Sequence, residues 1–264
     1  MDLIEGLDQC WRAVDSVVRS LHPDQLSLPT PCGDWNVHDL LAHLGGAESF
    51  FQGLPQPEPP DDWVNPYKGL DFVTGQGVAA RRGWSIEEIT AEIKVASTAQ
   101  LDMLRSLSPD GWQGETVGPM GPTTMAELAR IRTFDVFTHL LDLRAAVDLA
   151  LDPAGEPLAA ATAAGWVIER SGWGAVKQAR LPDGSRVRLD LTGPGARRCD
   201  VVVDGNRGSV TEPSTEACEN SIEGQAVAYL LLATGRTGPA EKLGLPSARG
   251  PLAESLLANY RLFG

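Results

Sequence analysis

The stretch RTFDVFTHLLDLRAAV, residues 132–147, decides how this chain is read. Phe134, Val136, Phe137, Leu140, Leu141, Leu143, Ala145, Ala146 and Val147 supply the apolar body of a core helix, yet Asp135, His139 and Asp142 are set into it. Residues four apart on a helix project from one face, with Cβ atoms about 5–6 Å apart. Asp135 and His139 can therefore close on a single ion, at the bond lengths of about 2.0–2.2 Å that zinc makes to nitrogen and oxygen. The same spacing suits a plain hydrogen bond, and spacing alone does not choose between the two. A buried carboxylate without compensation is costly, so Asp135 needs a partner on either reading. Asp142 is read as an acceptor for a histidine N–H, or as the partner of Arg132 or Arg144.

The chain has four histidines. His22 follows the first helix and is expected in an exposed loop, and His38 is expected to face solvent from the first turn of the second helix. His43 differs, because it is embedded among aliphatics in DLLAHLGG just as His139 is in FDVFTHLL. A third ligand from His43 would give two imidazoles and one carboxylate, a set that leaves at least one coordination position open. Open positions belong to catalytic rather than structural metal sites. Cys32, in PTPCGDW, is expected to be a structural thiol in a turn anchored by Trp35. No GxSxG, Walker loop or GxGxxG followed by a suitably placed acid occurs, which leaves phosphate and dinucleotide sites unsupported.

Bulk properties narrow the class. With 264 residues the chain can hold one large domain or two ordinary ones, and 42% hydrophobic with 22% charged residues is a globular balance. A net charge of −13 repels nucleic-acid phosphates and anionic membrane surfaces. The sequence begins without a basic and then apolar leader, and no run of about 18 apolar residues suggests a membrane span. Cys10, Cys32, Cys199 and Cys218 are scattered, so reduced thiols and a cytoplasmic location are expected.

The first half reads as helices: 3–21, a second capped by Asn36 with Asp39 completing a capping box, a third over about 84–107 extended upstream through GVAARRG, and a fourth opened by Thr124 and Glu127. The Pro-rich stretch 53–69 and the segment GWQGETVGPMGP are expected loops. Four apolar-striped helices predict a four-helix bundle over 1–153. Beyond it, EPLAAATAAGWVIERSGW predicts one helix, SRVRLDLTG, RCDVVVDG and RGSVTEP predict strands, and EGQAVAYLLLATGR and LAESLLANYRLFG predict further helices. The fold class is α+β, a helical bundle followed by a small α+β domain over 154–264.

Two motifs carry a resemblance. LPTPCGDWNVHDLLAHL resembles the opening motif of the DinB-like, mycothiol-dependent maleylpyruvate isomerase family, which reads T-P-C-x-x-W-[ST]-V-x-D-L-x-x-H-L, and RTFDVFTHLLDLRAA is similar to its second motif. RLPDGSRVRLDLTG, VVVDG and EGQAVAYLLLATGR resemble that family's sterol-carrier-like carboxy-terminal domain. The resemblance implies a divalent metal, usually zinc, held by His43, Asp135 and His139, with Asp135 where Glu is commoner. It implies mycothiol or a similar thiol as cosubstrate, deprotonated at the metal, acting on a small electrophile in an isomerase or S-transferase. Arg82 and Arg236 are the expected contacts for an anionic substrate or for the thiol. The other readings are a non-catalytic small-ligand-binding module of the same fold, and a natural-product biosynthetic enzyme reusing the metal site. A monomer or small homo-oligomer is expected, with no nucleic-acid or membrane partner.

Overall fold

In the computed structural model, residues 2–66, 68 and 70–262 are described; Tyr67 and Gly69 of the expected 53–69 loop, and the last two residues of the expected terminal helix, lie outside them. Two compact units are present, one of residues 1–132 and 139–150, the other of 133–138 and 151–264.

The first unit is helical. Helix α1 (Asp2–Ser20) buries Leu7, Cys10, Trp11, Val14 and Val17, and its Trp11 Nε1 donates to Gln100 Oε1 at 2.9 Å. That bond ties α1 to α4 (Ile86–Ser106), which opens with a full capping box of Ser85 and Glu88. Helix α2 (Val37–Phe51) opens at Asn36, whose side chain accepts the Asp39 N–H at 2.8 Å. Asp39 does not complete the expected box: its carboxylate accepts a hydrogen bond from Arg82 instead.

The expected upstream extension of the third helix is a separate helix, α3 (Leu70–Ala79), followed by a turn. The break is explained by Arg81, which is fully buried and binds both carboxylate oxygens of Glu92, the Gly77 carbonyl and Gln56 Oε1. Gly46 of α2 makes room for it, since a Cβ there would meet Arg81 Nη1 at 2.9 Å. The bond to Gln56 also pins the start of the Pro-rich loop.

GWQGETVGPMGP is not simply a loop. A short helix α5 (Pro109–Gln113) leads into a hairpin of β1 (Glu115–Gly118) and β2 (Gly121–Thr124), which turns through Gly121 at φ +106°. Helix α6 (Met125–Ala146) then starts at Thr124, which accepts the Glu127 N–H.

The second unit mixes helix and sheet. EPLAAATAAGWVIERSGW forms two helices rather than one, α7 (Pro157–Glu169) and α8 (Ser171–Lys177). Strands β3 (Arg186–Thr192), β4 (Arg197–Asp204) and β5 (Arg207–Thr211) fall where expected. They join β6 (Ser221–Gln225) and β7 (Ser247–Arg249) in the order β5-β4-β3-β6-β7, with β3 and β6 parallel and the other pairs antiparallel. The expected helix over EGQAVAYLLLATGR is thus corrected at its start: SIEGQ is a strand, and α9 (Ala226–Ala233) begins after it. Glu223, Gly224 and Gln225 pair with Asp190, Leu191 and Thr192 of β3, a partner distant in sequence, while the apolar run AVAYLLLA stays helical. Helices α10 (Thr237–Leu243) and α11 (Pro251–Asn259) complete the unit.

Alternation along the strands buries Val187, Leu189 and Leu191 of β3 with Cys199, Val201 and Val203 of β4. Helix α8 lies so close to β5 that a Cβ on Gly208 would reach the Gly172 carbonyl oxygen at 1.8 Å, which restricts both positions to glycine. Phe134, from the α6 segment in this unit, stacks on Trp166 with centroids 4.5 Å apart, and the Arg170 guanidinium lies 3.6 Å over the same indole.

Arg188 and Asp200 form a buried bidentate pair at 2.8 and 3.0 Å, and the Ser214 N–H adds a third bond to the carboxylate. Burial opposes ionisation of Asp200, but the bonds from Arg188 and Ser214 outweigh it and hold the carboxyl below its ordinary value. A depressed folded-state value means that the stabilisation is complete above the unfolded value of about 3.9 and is lost as pH falls through the folded one. Urea unfolding in acid should therefore show a loss of stability below about pH 4 that is smaller in Asp200→Asn. At neutral pH, Arg188→Met should cost about 3–5 kcal/mol, because it leaves a buried charge uncompensated.

Candidate metal centre

Helix α6 places Asp135 one turn before His139, and α2 brings His43 against them. One ligand atom from each of His43, Asp135 and His139 lies within 4.8 Å of the others. Both imidazoles are buried and meet edge to face, with centroids 4.8 Å apart and planes at 77°. His139 Nδ1 lies 3.0 Å from Asp142 Oδ2, and Asp142 is fully buried. A carboxylate only accepts, so Nδ1 carries the proton and Nε2 the lone pair, the tautomer a metal ligand needs.

The donor set fits a divalent ion of borderline softness: two neutral imidazoles, one carboxylate and an oriented outer partner. The shorter side chain of Asp135 still brings an oxygen into the group.

The turn before α2 builds one wall. Thr30 Oγ1 accepts the Cys32 N–H at 3.1 Å and donates to the Trp35 carbonyl at 2.8 Å, while Gly33 takes φ +60°. This turn sets the Trp35 ring 4.9 Å from that of His43 and 6.5 Å from that of His139. It also places Cys32 Sγ within 4.8 Å of ligand atoms of His139 and Asp142. Cys32 was expected to be structural on its turn setting alone; its nearness to His139 is a tertiary fact that the local pattern does not carry.

The remaining expectations divide. Asp142 bonds His139, whereas Arg132 is committed to Glu48, which it meets at 3.2 Å in a pair buried on both sides. His22 is exposed, but His38 is not simply solvent-facing, since its Nε2 donates to the Trp84 carbonyl at 2.9 Å. Arg82 is half exposed and bonds Asp39 through Nε at 3.1 Å. Arg236 lies just before α10, with Nη1 donating to the Thr234 carbonyl at 2.6 Å.

With that geometry in view, comparison with known proteins places the chain. Residues 7–144, more than half of it, match the family described as the mycothiol maleylpyruvate isomerase N-terminal domain, and the chain belongs to that family. An uncharacterized protein of Mycobacterium tuberculosis, found in two strains, is 30% identical over 168 residues, covering 62% of this chain and 79% of the relative. Crystal structures of the mycothiol-dependent maleylpyruvate isomerase, and of a histidine-to-alanine mutant of it, share the fold with a TM-score of 0.60 at 14% identity. Each alignment covers 93% of this chain and 92% of the other. Among the described residues, no helix is long and apolar enough to cross a membrane.

If Asp142 orients His139 for a metal, Asp142→Asn should weaken zinc affinity about 10–100-fold. Competition with a chromogenic chelator reads this, and an unchanged affinity would separate Asp142 from metal binding.

Proposed function

We propose that the chain is a metal- and thiol-dependent enzyme, an isomerase or S-transferase acting on a small electrophile. The carrying observation is the convergence of His43, Asp135 and His139 on one point, within 4.8 Å of one another, in a chain of this family. These three residues would hold the ion, with zinc the metal their chemistry suits and mycothiol or a similar thiol as cosubstrate. A bound divalent cation there would supply the charge that deprotonates a coordinated thiol at neutral pH.

The chain's own residues do the rest. Asp142 holds the proton on His139 Nδ1 and keeps the ring aimed. The Trp35 indole sets an apolar surface beside both imidazoles, 4.9 Å from the ring of His43 and 6.5 Å from that of His139. Arg82, half exposed, offers guanidinium donors for polar groups of the thiol or the electrophile. Addition of a thiolate to a carbon–carbon double bond leaves a single bond free to rotate. Loss of the same thiolate re-forms the double bond and completes an isomerisation, whereas return of the thiol's proton to the adjacent carbanion keeps the thioether and makes a transferase.

Elemental analysis of the purified chain should find about one divalent ion per chain, lost in His43→Ala and His139→Ala. Isomerisation of maleylpyruvate, followed by absorbance, should require added mycothiol and fall below detection in both variants. If no stoichiometric metal is found, the reading fails; if metal is present without thiol-dependent turnover of maleylpyruvate, a panel of alkylating electrophiles should show S-transfer in its place.

A further inference from the structure

His139 belongs to a second group of donors as well as to the first. Cys32, His139 and Asp142 each offer an atom within 4.8 Å of the other two, and all three residues lie in the helical unit. Neither His43 nor Asp135 is part of this group, and neither Cys32 nor Asp142 is part of the first. The two groups meet at one imidazole.

The turn before α2 fixes the backbone that carries the sulfur. Besides the two bonds made by Thr30 Oγ1, the Thr30 N–H donates to the Trp35 carbonyl at 3.0 Å and the Trp35 N–H to the Cys32 carbonyl at 3.2 Å. Cys32 is half-buried, with part of its surface open to solvent. The other thiols are placed differently. Cys218 Sγ donates to the Asn220 carbonyl at 3.1 Å, and burial pushes the Cys199 thiol up to about 11, which disfavours the thiolate that a metal needs. Among the described residues, Cys32 is the one cysteine within a three-donor group.

Thiolate, imidazole and carboxylate make a softer set than two imidazoles and a carboxylate, and sulfur donors favour thiophilic ions. A neutral imidazole carries one nitrogen lone pair, so His139 serves one ion at a time. Binding on the side of Asp142 moves the ring proton from Nδ1 to Nε2, and so takes up the nitrogen that the first group uses. We propose that Cys32, His139 and Asp142 form a second cation site, selective for soft, thiophilic divalent ions, and that filling it withdraws His139 from the first. The thiol proton of Cys32 passes to solvent as the sulfur–metal bond forms. A soft ion thereby silences the centre without entering it. The site stands apart from the proposed reaction, since neither thiol cosubstrate nor electrophile is needed to fill it.

The test adds cadmium chloride to the full-length, zinc-loaded chain. Ultraviolet absorption reads the cadmium–thiolate bond, and a chromogenic chelator reads released zinc. About one cadmium per chain should bind with the thiolate band and release the zinc. Cys32→Ser, a near-isosteric change, should lose the band, bind zinc as the parent does, and need at least about 10-fold more cadmium to release it. His43→Ala should keep the band, because His43 is not in the second group. The second site is overturned if the parent shows no band, if the band persists in Cys32→Ser, or if it is lost in a His43→Ala chain whose circular dichroism matches the parent. Weaker zinc binding in Cys32→Ser overturns the selectivity, and a band that forms while zinc stays bound overturns the sharing of His139. A chain that binds no zinc yet shows the Cys32-dependent band upholds this site while the metal-dependent reading above fails.

Discussion

A single buried hydrogen bond, 3.0 Å between Asp142 and His139 Nδ1, governs what the candidate centre can do. It selects the imidazole tautomer, and with it the nitrogen that can face an ion. Helices α2 and α6 hold the ring of His43 edge to face with that of His139, and the Trp35 ring lies beside both. Remove the carboxylate and the ring of His139 loses the constraint that gives the arrangement its direction. A core helix tolerates these polar groups because each is answered by another within reach, which avoids the cost of an unsatisfied buried group.

The same rule is applied elsewhere with charges. Arg81 with Glu92, Arg132 with Glu48, and Arg188 with Asp200 are all buried ion pairs. Such pairs add little net stability over apolar replacements, yet breaking one leaves a desolvated charge. They fix the arrangement of elements more than they hold it together. Arg81 shows how: one guanidinium ends α3, meets α4 through Glu92, and holds the Pro-rich loop through Gln56, while α2 gives up a side chain at Gly46 to admit it.

Much of this was legible in the sequence. The helical spacing of Leu7, Trp11, Val14 and Val17, the cap at Asn36, and the alternation in RVRLDLT and RCDVVVD all reflect local periodicity, which structure preserves. The pairing of His43 with Asp135 and His139 followed from their shared apolar settings. What stayed hidden depends on contacts distant in sequence. SIEGQ becomes a strand because β3 offers it a parallel partner, and Cys32 comes near His139 because the Thr30–Trp35 turn folds it there. Asp39 forsakes its capping box for Arg82, far along the chain. No local pattern encodes any of these three.

The nearness of the Trp35 ring to the two imidazoles has an optical consequence. An indole 4.9 Å from one histidine ring and 6.5 Å from another is within electron-transfer distance of anything those rings bind. Its fluorescence is thus coupled to the occupant of the centre: a closed-shell ion would leave the emission largely intact, whereas cobalt or copper would quench it. Trp35 is one of seven tryptophans in the chain, and its share of the emission is the part that would report the centre.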